Sequence, residues 1–183
     1  MDSDEVYAVV DNLQPVIILG DDDVPRVHHK VLFDYITDAM HCKDHDLLIV
    51  PREQHGRITA FCFDVMNICL KRNILGFGIP ARYMENSDGL KSEGISDDRL
   101  REKIAPELRY ACVYWANHFE GADIKDINLI KKLDGFVKER LLYWLEALSW
   151  ICMLDSAPRA LLTVRNVLVT YLMPLPLSWE LMR

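Results

Sequence analysis

The sequence lacks the signatures of several protein classes. It contains no G-x-x-x-x-G-K-[ST] loop, the motif with which many nucleotide-binding proteins hold phosphate. Its longest apolar run, residues 141–154, is interrupted by Glu146 and is too short to span a bilayer. Its first residues, Met-Asp-Ser-Asp-Glu, have neither the basic stretch nor the apolar core of a signal peptide. We therefore expect a cytoplasmic protein with no membrane partner.

Positive charge is also scarce. The 183 residues include 21 Lys and Arg against 28 Asp and Glu, a formal net charge of −7. Nucleic-acid affinity depends on clustered basic side chains that neutralise phosphates. The short basic pairs Lys71-Arg72 and Lys131-Lys132 fall where predicted helices face water. We therefore expect no nucleic-acid partner.

The cysteines are few, odd in number and scattered, which argues against a disulfide framework. Cys62 and Cys69 are seven residues apart on one predicted helix face, which is typical of small core residues. Free thiols of this kind suit a reducing compartment. The five cysteines of the sequence are Cys42, Cys62, Cys69, Cys112 and Cys152.

Helical periodicity dominates what is present. Apolar residues recur at three- and four-residue steps from Leu108 to Phe119 and along the helix predicted from Pro51 to about Asn73. The pattern predicts a mainly α fold of bundled helices or helical hairpins. Residues 16–28 are the exception: two short apolar runs around the turn at 20–23 predict a small β-hairpin.

The order of these elements suggests four regions. Residues 1–50 are typical of the C-terminal part of a winged-helix domain. They contain the end of a helix over 4–13, the hairpin, a short helix directing Leu32, Phe33, Ile36 and Met40 inward, and a strand or extended lead-in at 47–50. Residues 51–95 combine the long helix with a flexible, glycine-rich surface loop over 76–95. Residues 96–172 predict a helical domain, with a cap at Ser96, a break at Pro106 and helices over 124–133, 136–154 and 158–172. The first two of these three helices either are separate or run nearly continuously through Asp134-Gly135. Residues 173–183 form an irregular tail.

Candidate reactive groups are sparse. His41, Cys42, His45 and His55 are close enough to suggest zinc, but one thiol and this spacing match no standard structural site. They also fit polar loop residues beside one buried cysteine. Cys42 with a nearby histidine lacks the oxyanion hole and orienting group of a nucleophile. We expect no metal, no cofactor and no catalytic residue.

An aromatic stripe suggests an interaction site. Glu139, Tyr143, Glu146 and Trp150 lie on the face of the 136–154 helix opposite its leucines. Both faces of this helix are then covered, the second by the 158–172 helix or by another protein. The candidate interaction residues are Tyr143, Glu146 and Trp150.

Four segments together carry a family resemblance. They are residues 29–38, residues 62–75, Leu108-Arg109-Tyr110-Ala111-Cys112 with Tyr114, Trp115 and His118, and residues 141–149. Their order resembles the fungal NACHT-type signal-transducing NTPases (STAND NTPases), which are relatives of NOD-like receptors. The resemblance covers the winged-helix end and the helical region after the nucleotide-binding core.

The resemblance implies a role for His29. In this family a histidine after the winged-helix hairpin contacts the phosphate of bound ADP when the nucleotide domain is present. His29 takes that position, with Asp34 and Tyr35 matching downstream; Val31 and Leu32 depart from the usual Ser or Thr and Phe. A ring N–H can donate to phosphate.

The phosphate loop, the Mg-binding acidic strand and the propeller of the family have no counterpart in the sequence. The resemblance therefore implies a truncated, non-catalytic regulatory region whose partner is a nucleotide-binding domain in cis or in trans. The alternative is a stand-alone helical adaptor that binds a protein through Tyr143 and Trp150.

Overall fold

A computed structural model describes residues 17–19, 25–27, 30–76 and 86–172. The predicted helix over 4–13, the turn at 20–23, His29 and the tail 173–183 lie outside these ranges. Contacts divide the chain into two compact units, Met1–Pro51 and Arg52–Arg183. The described residues from Arg52 onward belong to one of these units, and the further boundary predicted near residue 95 stays a prediction.

The first unit contains two short strands and one helix within the described ranges. Strands β1 (Ile17–Leu19) and β2 (Pro25–Val27) pair antiparallel, with Ile17 opposite Val27. Helix α1 follows at Lys30–Thr37. Residues 48–50 form no strand, and the Ile49 N–H donates to the Ile36 carbonyl at 2.7 Å.

The predicted inward face of α1 is only partly correct. Leu32 and Ile36 are half-buried, as an inward position requires. Phe33 is 51% exposed, and Met40, beyond the helix end, is 79% exposed. No described residue of α1 is fully buried. The apolar periodicity of this short segment therefore predicted more burial than the helix has.

Helix α2 spans Pro51–Cys69 and begins at the predicted proline, whose missing N–H costs nothing in a first turn. Cys62, Phe63 and Met66 face the core. Cys69, predicted on the same buried face as Cys62, is exposed instead, and so is Phe61. The buried stripe is thus rotated toward Phe63, because that ring packs against aromatic side chains from later helices.

The region predicted as a surface loop contains a helix. Helix α3 spans Asn86–Ser92 and ends before Gly94, whose φ of +62° favours glycine. The start of the next helix was predicted correctly. The Ser96 hydroxyl accepts the Arg99 N–H at 3.3 Å and caps helix α4, Asp97–Lys103.

Four further helices complete the described residues. Helix α5 (Pro106–Gly121) starts at the predicted break, and helix α8 (Ser156–Leu172) also lies where expected. Helices α6 (Ile127–Glu139) and α7 (Leu141–Trp150) meet at Arg140. Of the two alternatives for residues 134–135, a gap between helices or near-continuity, the structure has the continuous one, since Gly135 lies inside α6. Helix α7 also ends before the predicted residue 154, and Cys152 follows with a φ of +57°.

The second unit is organised around α5, which packs against both α7 and α8. Two fully buried tryptophans, Trp115 and Trp144, lie 5.9 Å apart between ring centroids in an edge-to-face arrangement. Phe63 and Phe136 pack beside Trp115 at 5.3 and 5.0 Å. With eight helices in the described ranges, the predicted mainly α fold class is confirmed.

Candidate functional site: an aromatic strip on helix α5

The residues considered for metal or thiol chemistry do not assemble into a centre. The His41 ring pairs with Asp38 at 2.6 Å, and the buried Cys42 thiol donates to the Asp44 carbonyl at 3.3 Å. Across the described ranges, no group of three or more His, Cys, Asp or Glu side chains could hold a metal ion. The expected phosphate contact of His29 lies outside those ranges.

The stripe predicted on α7 is mostly covered by the chain itself. Trp150 is only 8% exposed and belongs to the core. The Glu146 carboxylate accepts the backbone N–H groups of Asn73 and Ile74, each at 3.0 Å. Tyr143 is half-buried against the same core. Trp150 and Glu146 therefore stabilise the second unit, and part of Tyr143 remains exposed.

An open aromatic surface lies on α5 instead. Tyr110, Tyr114 and His118 are spaced by four residues, so they share one helix face, beside that of the buried Trp115. Tyr110 and Tyr114 are 44% and 48% exposed. Ring centroids are 5.0 Å apart from Tyr110 to Tyr114 and 5.9 Å apart from Tyr110 to His118. The three rings form a continuous row.

Helix α2 extends this row by one further ring. Nδ1 of His55 lies 2.9 Å from Nδ1 of His118, with the ring centroids 5.2 Å apart. On its other side, Nε2 of His118 lies 2.7 Å from the Tyr110 hydroxyl. We call Tyr114, Tyr110, His118 and His55 the α5 aromatic strip.

Backbone features hold His55 against α5. A Cβ on Gly121 would lie 2.7 Å from Cδ2 of His55, so only glycine at this position leaves room for the ring. The Thr59 hydroxyl donates to the His55 carbonyl at 2.7 Å, within α2. The close approach of the last turn of α5 to the first turns of α2 thus depends on a missing side chain.

Burial shifts the pKa values of two side chains in the strip. Burial, followed by the electrostatic effect of His55, lowers the pKa of His118 below its ordinary 6.5. Burial, with smaller contributions from Cys62 and Tyr114, raises the pKa of Tyr110 above 10.0. At pH 7 His118 and Tyr110 therefore offer aromatic faces and hydrogen-bonding groups to a partner without a charge.

The sequence contained a signal for this strip. Tyr110, Tyr114 and His118 repeat at four-residue steps, beside the buried series of Leu108, Cys112 and Trp115. The sequence analysis used these residues only as part of the family resemblance. The contribution of His55 could not have been read from spacing, since it lies 63 residues before His118.

A second feature is a small cleft of about 210 Å³ between α2 and α6. Four of its polar side chains pair with each other: Lys132 pairs with Asp64, and Arg140 donates to Asn67 at 3.0 Å. This mutual pairing leaves the α5 aromatic strip as the stronger candidate site.

No described helix combines the length and the apolar character needed to cross a bilayer. Comparisons of the chain with protein-family models, with curated proteins and with solved structures found no match.

Proposed function

We propose that this chain is a non-catalytic regulatory module that docks onto a NACHT-type nucleotide-binding domain, in cis or in trans, in the cytoplasm. In this proposal its helices report the open or closed state of that domain and perform no chemistry. The α5 aromatic strip is the docking surface. The observation that carries the proposal is the exposure of Tyr110 and Tyr114 within a segment that resembles the family.

Physical reasons favour this surface for docking. Tyrosine supplies a large apolar area with few rotatable bonds, so it binds with a small loss of side-chain entropy. Its hydroxyl tolerates water in the free state, which makes an exposed tyrosine pair compatible with solubility. Tyr110 is further held by its hydrogen bond to His118, so part of the surface is ordered before a partner arrives.

The test measures two affinities of the purified chain. Labelled ADP and ATP are titrated alone by fluorescence polarisation, and a recombinant ADP-loaded NACHT-type nucleotide-binding domain is titrated by calorimetry. We expect binding to the domain and none to free nucleotide, because the phosphate loop belongs to the partner. Micromolar binding of ADP by the chain alone would contradict the proposal.

A matched pair of variants locates the surface. Tyr110→Ser with Tyr114→Ser removes the strip, and we expect the dissociation constant for the domain to rise by about 30-fold or more, as for interface anchors worth at least about 2 kcal/mol. Ile127→Ser with Leu142→Ser changes two exposed apolar residues elsewhere in the second unit. Equal losses in both double variants would count against the strip.

A further inference from the structure

The contact between His55 and His118 has an unusual requirement. The Nδ1 atoms of the two rings face each other at 2.9 Å, so one Nδ1 must donate an N–H and the other must accept it. The Tyr110 hydroxyl at 2.7 Å from Nε2 of His118 accommodates either direction, since it can donate or accept. The three side chains therefore form one hydrogen-bonded chain that links α2 and α5.

The number of protons on the two histidine rings decides whether this row of hydrogen bonds can exist. The neutral pair has one hydrogen between the Nδ1 atoms, and a pair with one extra proton can retain it. A second extra proton places an N–H on both Nδ1 atoms, so two donors and two positive charges face each other. That state cannot keep a 2.9 Å contact.

We propose that His55 and His118 form a proton-operated latch between the first turns of α2 and the last turn of α5. The latch is closed while the pair carries at most one extra proton. It opens when both rings are protonated, and the end of α5 then separates from α2. Mild acid thereby changes the shape of the α5 aromatic strip, independently of which partner binds there.

The surroundings do not offset the second charge on His118. The Tyr110 phenol contacts His118, and Tyr110 is in turn affected by the Cys62 thiol on α2 and the Tyr114 phenol on α5. Burial raises the pKa of Cys62 to about 11, so this thiol stays neutral. Arg52, Glu120 and Asp123 line an adjoining cleft at this end of the two helices, but none of them is among the groups that shift the pKa of His118.

The direction of the pH effect follows from the lowered pKa of His118. Between that pKa and the ordinary 6.5, the unfolded chain binds more protons than the folded chain. Stability contributed by the latch is therefore complete above 6.5, falls as the pH drops through this window, and is constant below it. The latch acts in the range where histidine serves as a physiological pH sensor.

The test is an NMR titration of the full chain with ¹⁵N-labelled histidine, from about pH 8 to about pH 5. In the wild type at the starting pH, we expect one Nδ1 of the pair to carry a proton and the other to be bare. The two rings should then titrate in a coupled manner, with the second protonation step below pH 6.5. The contact between the two rings should be lost in that second step. His45→Gln, a change at an exposed histidine in the first unit, should leave this behaviour unchanged.

Gly121→Ala is the decisive variant, because it keeps both histidines and displaces the His55 ring. We expect the two rings to titrate independently in it, with the pKa of His118 closer to the ordinary value. If the Gly121→Ala variant does not fold, His55→Gln takes its place, because it removes the histidine that can become charged beside His118. The pKa of His118 should again rise. Independent titration in the wild type, or an unchanged pKa of His118 in His55→Gln, would overturn the proposal.

Discussion

Glu146 on α7 accepts the backbone N–H of Ile74 at 3.0 Å, across 72 positions of sequence. The same carboxylate accepts the Asn73 N–H, and Asn73 has a left-handed φ of +54°. A side chain predicted to face a partner therefore fixes the chain reversal after α2.

Replacing this carboxylate should destabilise the second unit. Glu146→Ala leaves two part-buried N–H groups without their acceptor, and an unmade hydrogen bond of this kind costs about 1–3 kcal/mol. We expect the free energy of unfolding in urea to fall by that amount. Glu139→Ala, a change at an exposed carboxylate, should stay within about 0.5 kcal/mol of wild type. Equal effects of the two changes would show that the Glu146 hydrogen bonds contribute little.

The two central tryptophans should respond differently to phenylalanine. The Trp144 indole N–H donates to the buried Cys112 carbonyl at 2.8 Å, whereas Nε1 of Trp115 has no acceptor among the described residues. Both changes lose ring volume, but only Trp144→Phe also removes a hydrogen bond between the indole and the Cys112 carbonyl. We expect it to cost about 1 kcal/mol more than Trp115→Phe in urea unfolding. The reverse order would contradict this assignment.

Two glycines offer opposite outcomes for the same substitution. A Cβ on Gly135 meets nothing within 4 Å inside α6, so Gly135→Ala should stabilise the chain by about 0.5–1 kcal/mol. Gly121→Ala places its Cβ against the His55 ring and should lower the midpoint of thermal unfolding. Stabilisation by both substitutions would mean that His55 moves aside freely.

The aromatic residues of α7 should prove structural. Trp150→Ala removes a buried indole, and large-to-small changes of this size cost about 3–5 kcal/mol. We expect the Tyr143→Ala, Trp150→Ala double variant to lose cooperative unfolding or to melt at a much lower temperature by circular dichroism. A folded double variant that had lost only partner binding would instead restore the adaptor alternative.

Thiol reactivity should separate the cysteines of the second unit into two pairs. Burial raises the pKa of Cys62 to about 11 and that of Cys112 to about 12, so almost no thiolate forms on either at neutral pH. Cys69 and Cys152 are exposed. We expect iodoacetamide to label the exposed pair first and the buried pair only in urea, as read by peptide mass spectrometry. Rapid native labelling of Cys112 would contradict its burial.

The sequence was informative where a signal is local. The Ser96 cap, the starts of helices at Pro51 and Pro106, and the buried face of α5 all follow from residues within one or two turns of each other. It was less informative where helix ends depend on packing. The residues around Gly135 allowed either a break or a continuous helix, and α6 continues through them, with Phe136 packed among aromatic rings of other helices.

Tertiary structure decided which aromatic residues remain accessible. Periodicity places Tyr143 and Trp150 on one face and Tyr110 and Tyr114 on another, but it does not say which face a neighbouring helix will cover. In the fold, Trp150 joins the core and the tyrosines of α5 stay open.

The sequence by itself determined that the chain is mainly helical, since i to i+4 repetition and capping residues act within a single helix. The contacts of His55 with His118 and of Glu146 with Ile74 depend only on how the helices pack in the tertiary structure. Contacts between residues more than 60 positions apart depend on helix crossings, and these are set by the shapes of all the buried side chains together.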